Sequence, residues 1–136
     1  MSDIFNGIFR KKNILVTGHT GFKGAWLSIW LKKLGANVIG YALDPPSEPN
    51  IFKICNFENI ITSIHGDIRS YNEIHEVVTK YKPEIVFHLA AQSLVRQSYK
   101  NPLETYETNV IGTANILEAS RNSKSVKAII IVTSDK

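Results

Sequence analysis

Apolar positions along the chain alternate between short continuous runs and stretches with helical spacing. Asn13-Ile-Leu-Val-Thr17 is a β-rich run that stops at Gly18. From Phe22 to Leu34 the apolar residues Phe22, Trp26, Ile29, Trp30 and Leu34 recur at helical intervals, and Gly35 closes the pattern. This predicts a strand, a tight turn and a helix. Val38 to Leu43 is again extended and apolar, which completes a βαβ unit. Asp44-Pro-Pro-Ser-Glu-Pro-Asn50 holds three prolines and predicts a long irregular connection in place of a helix. Ile60 to His65 reads as a third strand. Tyr71 to Tyr81 has helical periodicity through Ile74, Val77 and Val78, and Pro83 separates it from the apolar strand Ile85 to Leu89. Leu103 to Arg121 reads as one further helix, with Val110, Ala114 and Leu117 on one face. Lys127 to Thr133 is a fifth strand. There is no internal repeat and no low-complexity segment.

Strands that alternate with helices and are apolar nearly throughout imply an α/β fold of Rossmann type: a doubly wound parallel sheet covered on both faces. Right-handed crossovers give the strand order 3-2-1-4-5, with a binding crevice between the first and fourth strands, where the order reverses. Functional residues are expected at the carboxyl ends of those strands. Residues 1–12 read as a lead-in segment and residues 13–136 as the domain. The last strand, with Ile129, Ile130, Ile131 and Val132 in sequence, reads as buried on both faces and needs cover from other chain.

The composition, 43% hydrophobic and 21% charged over 136 residues, excludes a disordered or collagen-like chain. Apolar runs fall short of the roughly 18 residues of a membrane helix. Arg10, Lys11 and Lys12 follow rather than precede the first apolar residues, unlike a secretory signal. One cysteine, Cys55, forms no internal disulfide, and His19, His65, His75 and His88 show no metal-ligand spacing. A reducing, cytoplasmic setting without a metal fits best. The net charge of +4 is scattered apart from the Arg10-Lys11-Lys12 cluster, which does not make a nucleic-acid surface.

Thr17-Gly18-His19-Thr20-Gly21-Phe22-Lys23-Gly24 lies between the first strand and the first helix, the context that a phosphate-binding glycine loop requires. Gly18 permits the tight turn, Gly21 removes a side chain where a diphosphate approaches, and Gly24 allows close packing. The helix start offers free N–H groups and its positive end to an anion. Asp44 follows at the end of the second strand, where a carboxylate holds both hydroxyls of an adenosine ribose. No Arg or Lys stands beside it to accept a 2′-phosphate, so the cofactor expected is NAD. His88 reads as a buried histidine satisfied by local hydrogen bonds.

The spacing Gly18-x-x-Gly21-x-x-Gly24 resembles the extended, sugar-nucleotide branch of the short-chain dehydrogenase/reductase superfamily. Gly66-Asp67-Ile68-Arg69, Lys82-Pro83-Glu84-Ile85-Val86-Phe87-His88-Leu89-Ala90-Ala91-Gln92 and Thr108-Asn109-Val110-x-Gly112-Thr113 are similar to its successive signatures and span nearly the whole chain. The resemblance implies that Gly18, Thr20, Gly21, Phe22, Lys23 and Gly24 line the NAD diphosphate, Asp44 the adenosine ribose, and Asp67 and Ile68 the adenine. Leu89, Ala90 and Ala91 would pass beside the nicotinamide, although small residues here also suit plain close packing. Gln92 and Ser93 would face the sugar.

Within the branch, the glycine loop, Leu43-Asp44-Pro45-Pro46-Ser47, Ala91-Gln92-Ser93-Leu94-Val95-Arg96 and Thr133-Ser134-Asp135-Lys136 most resemble the 4,6-dehydratases that act on CDP-glucose. Such enzymes oxidise C4, eliminate water across C5 and C6, and return the hydride to C6, giving CDP-4-keto-6-deoxyglucose, a precursor of dideoxy sugars in bacterial surface polysaccharides. By the same resemblance Ser134 would hydrogen-bond the C4 oxygen, Asp135 would protonate the departing C6 hydroxyl, and Lys136 would stand at the position that handles the C5 proton. The branch's Tyr-x-x-x-Lys pair and substrate-binding region would follow Lys136. The expectation is thus the NAD-binding half of a lyase, truncated before the last strands, inactive alone, and held in a homo-oligomer or by a complementing chain. A GDP-mannose dehydratase, an epimerase, or a non-catalytic nucleotide-binding or assembly module shares the glycine loop. Ser134-Asp135-Lys136 favours a dehydratase over an epimerase, and by resemblance alone Lys23 with the Asp44–Ser47 loop favours CDP-glucose over GDP-mannose.

Overall fold

The computed structural model describes residues 4–133. At its centre is β1, Asn13–Thr17, in which Ile14 and Val16 face one side of the sheet and Leu15 the other, all essentially without solvent exposure. A strand apolar on both faces survives only with cover on both. Around it lie β2 (Asn37–Ala42), β3 (Thr62–His65), β4 (Ile85–His88) and β5 (Ala128–Ile131). All neighbours are parallel, in the order β3-β2-β1-β4-β5, as the alternation of elements predicts. The reversal falls between β1 and β4, with Thr17 opposite His88 in the ladder.

Two cores flank the sheet. On one face Ile14, Val16 and Val38 pack with Ala25 and Leu31 of α1 (Phe22–Lys33) and with Phe52 of α2 (Ile51–Ile54). On the other, Leu15, Ile39 and Val86 pack with Ile74, Val77 and Val78 of α3 (Tyr71–Tyr81), just as the periodicity of that helix indicates. Lys82 ends α3 in the left-handed region at φ 48°.

Several expectations need correction. The buried face of α1 is Gly24, Ala25, Ser28 and Leu31, while Phe22, Trp26 and Trp30 of the expected apolar face are exposed. Small residues let the helix lie close to the sheet, and that requirement outweighs hydrophobicity. The irregular connection after β2 does not persist to the third strand: Asn50 caps α2 by accepting a hydrogen bond from Lys53 N, and a 3-10 turn follows at Phe57–Asn59. Ile60 and Ile61 therefore precede β3 rather than start it. A short helix, α4 (Val95–Lys100), was not foreseen, because its sequence lacks an apolar stripe. The helix expected over 103–121 is continuous but not α-helical throughout: α5 (Pro102–Tyr106) and α6 (Gly112–Arg121) are joined by a π-helical segment at Glu107–Ile111. Its buried residues are Gly112, Ile116, Ala119 and Ser120, whereas Val110 and Leu117 are exposed. β5 is only partly covered by the described residues, with Ile130 40% exposed.

Candidate functional site

The carboxyl ends of β1, β2 and β4 converge on the loop that joins β1 to α1. Gly18 turns the chain at φ 75° and lies against β4, so that a Cβ there would sit 2.8 Å from Ala90 N. Gly24 is packed on the same loop. Gly21 differs: among the described residues a Cβ on it would meet only the Gly18 carbonyl oxygen, at 3.5 Å, an ordinary contact. The described residues leave room at Gly21 that they do not fill. Gly21 is also the N-cap of α1, so the first-turn amides of that helix face the same space. Thr20 anchors the loop by donating from Oγ1 to the Leu43 carbonyl at 2.9 Å.

Three cavities join end to end around this loop. The first, about 250 Å³, is bounded by Gly18, Thr20, Gly21, Asp44, Asp67, Ile68, Leu89, Ala90 and Ala91. The second, about 690 Å³, takes in Gly18, Gly21, Phe22, Lys23, Gly24, Leu89, Ala91 and Ser93. The third, about 640 Å³, is walled by Ala91, Gln92, Ser93, Tyr99, Asn109 and Thr133. Every candidate residue within the described chain therefore borders one continuous cleft. Ser134, Asp135 and Lys136 lie outside the described residues; Thr133, which precedes them, borders both the second and third cavities.

The electrostatics divide along the cleft. At the first cavity the Asp44 carboxylate is largely exposed, with His65 Nε2 3.8 Å away. Asp67 is clamped by Arg69, whose Nε and NH2 donate to the carboxylate at 2.9 and 2.6 Å and hold its pKa below the ordinary carboxylate range. The same guanidinium reaches Glu107 at 3.7 Å and Glu104 at 4.0 Å, bridging the end of β3 to α5 and the π segment. Beneath the loop, His19 is buried with Nε2 2.7 Å from Ser63 Oγ, and burial pushes its pKa down to about 4. His88 is likewise buried and lowered to about 4 by burial, and it is satisfied locally by Thr17 and Thr113. Asn109, in the π segment, grips Gln92 at both its N–H and its carbonyl, at 2.8 and 2.9 Å. Sequence reasoning did not assign sites to Arg69, Thr113 or Asn109. Arg69 and Thr113 carry no isolated signal, but a π segment often marks function, and Asn109 sits within one.

Among the described residues no helix is long and apolar enough to cross a membrane, and no group of three or more His, Cys, Asp or Glu is placed to hold a metal ion.

The model of the GDP-mannose 4,6 dehydratase family matches residues 15–136. The chain is 49% identical over 133 residues to the CDP-glucose 4,6-dehydratase of Salmonella typhimurium LT2, covering 98% of this chain and 37% of that protein. Among solved structures, the epimerase Mth375 of Methanothermobacter thermautotrophicus matches with a TM-score of 0.80 at 28% identity, over 98% of this chain and 38% of that one. A UDP-glucose 4-epimerase from Brucella ovis, solved in complex with NAD, matches with a TM-score of 0.76 at 28% identity, over 88% of this chain and 35% of that one. The chain thus spans little more than a third of the length of these relatives.

Proposed function

Because the chain belongs to the GDP-mannose 4,6 dehydratase family, within the extended short-chain dehydrogenase/reductases, we propose that residues 13–136 form the NAD-binding part of a 4,6-dehydratase that converts CDP-glucose to CDP-4-keto-6-deoxyglucose. The observation that carries this reading is the unfilled space at Gly21, set at the start of a helix and between the cavity of Asp44 and that of Gln92. A cradle with room for a group that approaches the backbone, beside free amides, suits a dinucleotide diphosphate.

In this reading the first cavity takes the adenosine. Asp44 accepts from the ribose hydroxyls, and its charge repels a 2′-phosphate; Asp67 and Ile68 border the adenine. Phe22, Lys23 and the amides of the first turn of α1 hold the diphosphate, and Leu89, Ala90 and Ala91 leave a flat backbone edge for the nicotinamide. NAD, when bound, supplies the acceptor and later the donor of the hydride. Gln92 and Ser93 orient the hexose. Ser134 hydrogen-bonds the sugar's C4 oxygen, Asp135 protonates the departing C6 hydroxyl, and Lys136 handles the C5 proton, either with a lowered pKa or through a water. No Tyr in the 136 residues is followed four places on by a Lys, so the group that removes the C4 hydroxyl proton comes from further residues, together with the substrate-binding region. A cytoplasmic setting and assembly with a second copy or a complementing chain complete the proposal.

Titrating the purified chain with NAD and NADP tests the reading. Tighter binding of NAD, without formation of 4-keto sugar from CDP-glucose by the 136 residues alone, is the expected result. Equal or tighter binding of NADP would remove the role of Asp44, and turnover by the isolated chain would overturn the division of labour.

A further inference from the structure

We propose that His88 is a positioning residue of the dinucleotide cleft: locked as its Nε2–H tautomer between Thr17 and Thr113, it holds the Leu89–Ala91 backbone against Gly18. The proposal rests on the reading of that cleft as the NAD site.

The tautomer follows from counting donors. Thr17 Oγ1 accepts from the amides of Leu89 and Ala90, each at 3.2 Å, so its own proton is left to point at His88 Nδ1, 2.7 Å away. Nδ1 must then be an acceptor. On the other side of the ring, Thr113 Oγ1 donates its proton to the Asn109 carbonyl at 2.7 Å, so at 3.1 Å from His88 Nε2 it is an acceptor, and Nε2 must carry a proton. The two arguments are independent and give the same neutral imidazole. A second proton, on Nδ1, would face an oxygen whose acceptor positions are taken. Among the described residues, burial is the cause of the low pKa of this ring.

The consequence is mechanical. The bonds run from the Ala90 amide through Thr17, His88 and Thr113 to the Asn109 carbonyl, and the Asn109 side chain then closes on both backbone groups of Gln92. Residues 90–92 are thereby tied at both ends to one line of hydrogen bonds. Within that segment Ala91 lines all three cavities, and Ala90 approaches Gly18 too closely for any side chain at that glycine. Asp44 and Asp67 take no part in this line of bonds, so a small displacement of the segment would alter the side of the cleft lined by Ala91 and Gln92 while leaving those two carboxylates in place.

The test compares the wild-type chain with Thr113→Val, which keeps shape and removes the acceptor, and with His88→Leu, using NAD and AMP as probes. Both variants should lose about tenfold in NAD affinity, the scale of one or two lost hydrogen bonds, with AMP affinity within about twofold of wild type. Long-range ¹H–¹⁵N spectra of the free wild-type chain at pH 7 should show His88 protonated at Nε2 only. Should His88→Leu fail to fold, Thr113→Val and the spectrum carry the test. An Nδ1–H tautomer or an imidazolium at pH 7 overturns the proposal, as does NAD affinity unchanged in folded Thr113→Val, a result that leaves the cofactor reading standing. A wild-type chain that binds AMP but not NAD overturns both.

Discussion

Gly24 lies so close to Gly18 that a Cβ on Gly24 would sit 2.1 Å from the Gly18 carbonyl oxygen. The contact joins the first turn of α1 to the loop it follows, and both partners are backbone, which cannot swing aside. Gly24→Ala should therefore destabilise the chain by about 1–3 kcal/mol, the usual range for overpacking. Gly21→Val meets no such wall and should retain its far-UV circular dichroism and most of its thermal stability while losing NAD binding. Thermal melts paired with calorimetric titration separate the two, and a Gly21→Val variant that binds NAD normally would remove the loop from the proposed site.

The order of the strands and the place of the crevice were legible because both depend on coarse alternation, which survives errors at single residues. The faces of α1 and α6 were not. In α1, aromatic residues at helical intervals, Phe22, Trp26 and Trp30, outweigh the small residues on the buried side, so periodicity mixes exposed positions with Ile29 and Leu34, which do reach the core. Chain order alone puts the glycine loop and Asp44 beside the crevice, each at a strand end, whereas Asp67, which borders the same cavity, is singled out by the family resemblance. Their supporting partners were not, since Arg69 with Glu107, and His88 with Thr113, meet only through tertiary packing.

The reversal in α1 is measurable. Leu31 is 2% exposed and Trp26 54%, although Trp is the larger residue. Leu31→Ala should cost about 2–5 kcal/mol, as a buried leucine does, whereas Trp26→Ala should cost less than about 1 kcal/mol. Urea unfolding monitored by circular dichroism reports both values. A larger loss at Trp26 would mean that the exposed face is covered in solution, for instance by a second copy of the chain.

His19 and His88 make the chain acid-sensitive. Each has an ordinary pKa of 6.5 when unfolded and about 4 when folded, so between those values the unfolded chain binds protons that the folded chain refuses. Stability is thus fully present above pH 6.5, falls as the pH drops toward 4, and has lost the whole of this contribution below that. The fall amounts to on the order of 3 kcal/mol for each imidazole. Replacing His19 by Gln, which can still reach toward Ser63, should flatten the pH dependence of the melting temperature between pH 6.5 and 4 even if it lowers stability at pH 7. An unchanged slope would show that His19 is already protonated in the folded chain or exposed to solvent.

Arg69 governs the opposite end of the cleft from His88, and the two should be separable by choice of ligand. Its guanidinium holds both oxygens of Asp67 and reaches Glu104 and Glu107, so it fixes the carboxylate that borders the first cavity and ties that cavity's two walls together. A methionine at this position keeps the length of the side chain but removes the bonds. Arg69→Met should weaken AMP and NAD by the same factor, about three- to tenfold, because the adenosine end is common to both and a charge-assisted pair is lost. The remaining partner is a carboxylate left beside two other acids, so the loss should grow as salt is reduced and like charges are less screened. Parallel titrations at low and high ionic strength measure this directly. If Arg69→Met spares AMP while weakening NAD, Asp67 does not border the adenine, and the adenosine must be sought elsewhere along the cleft.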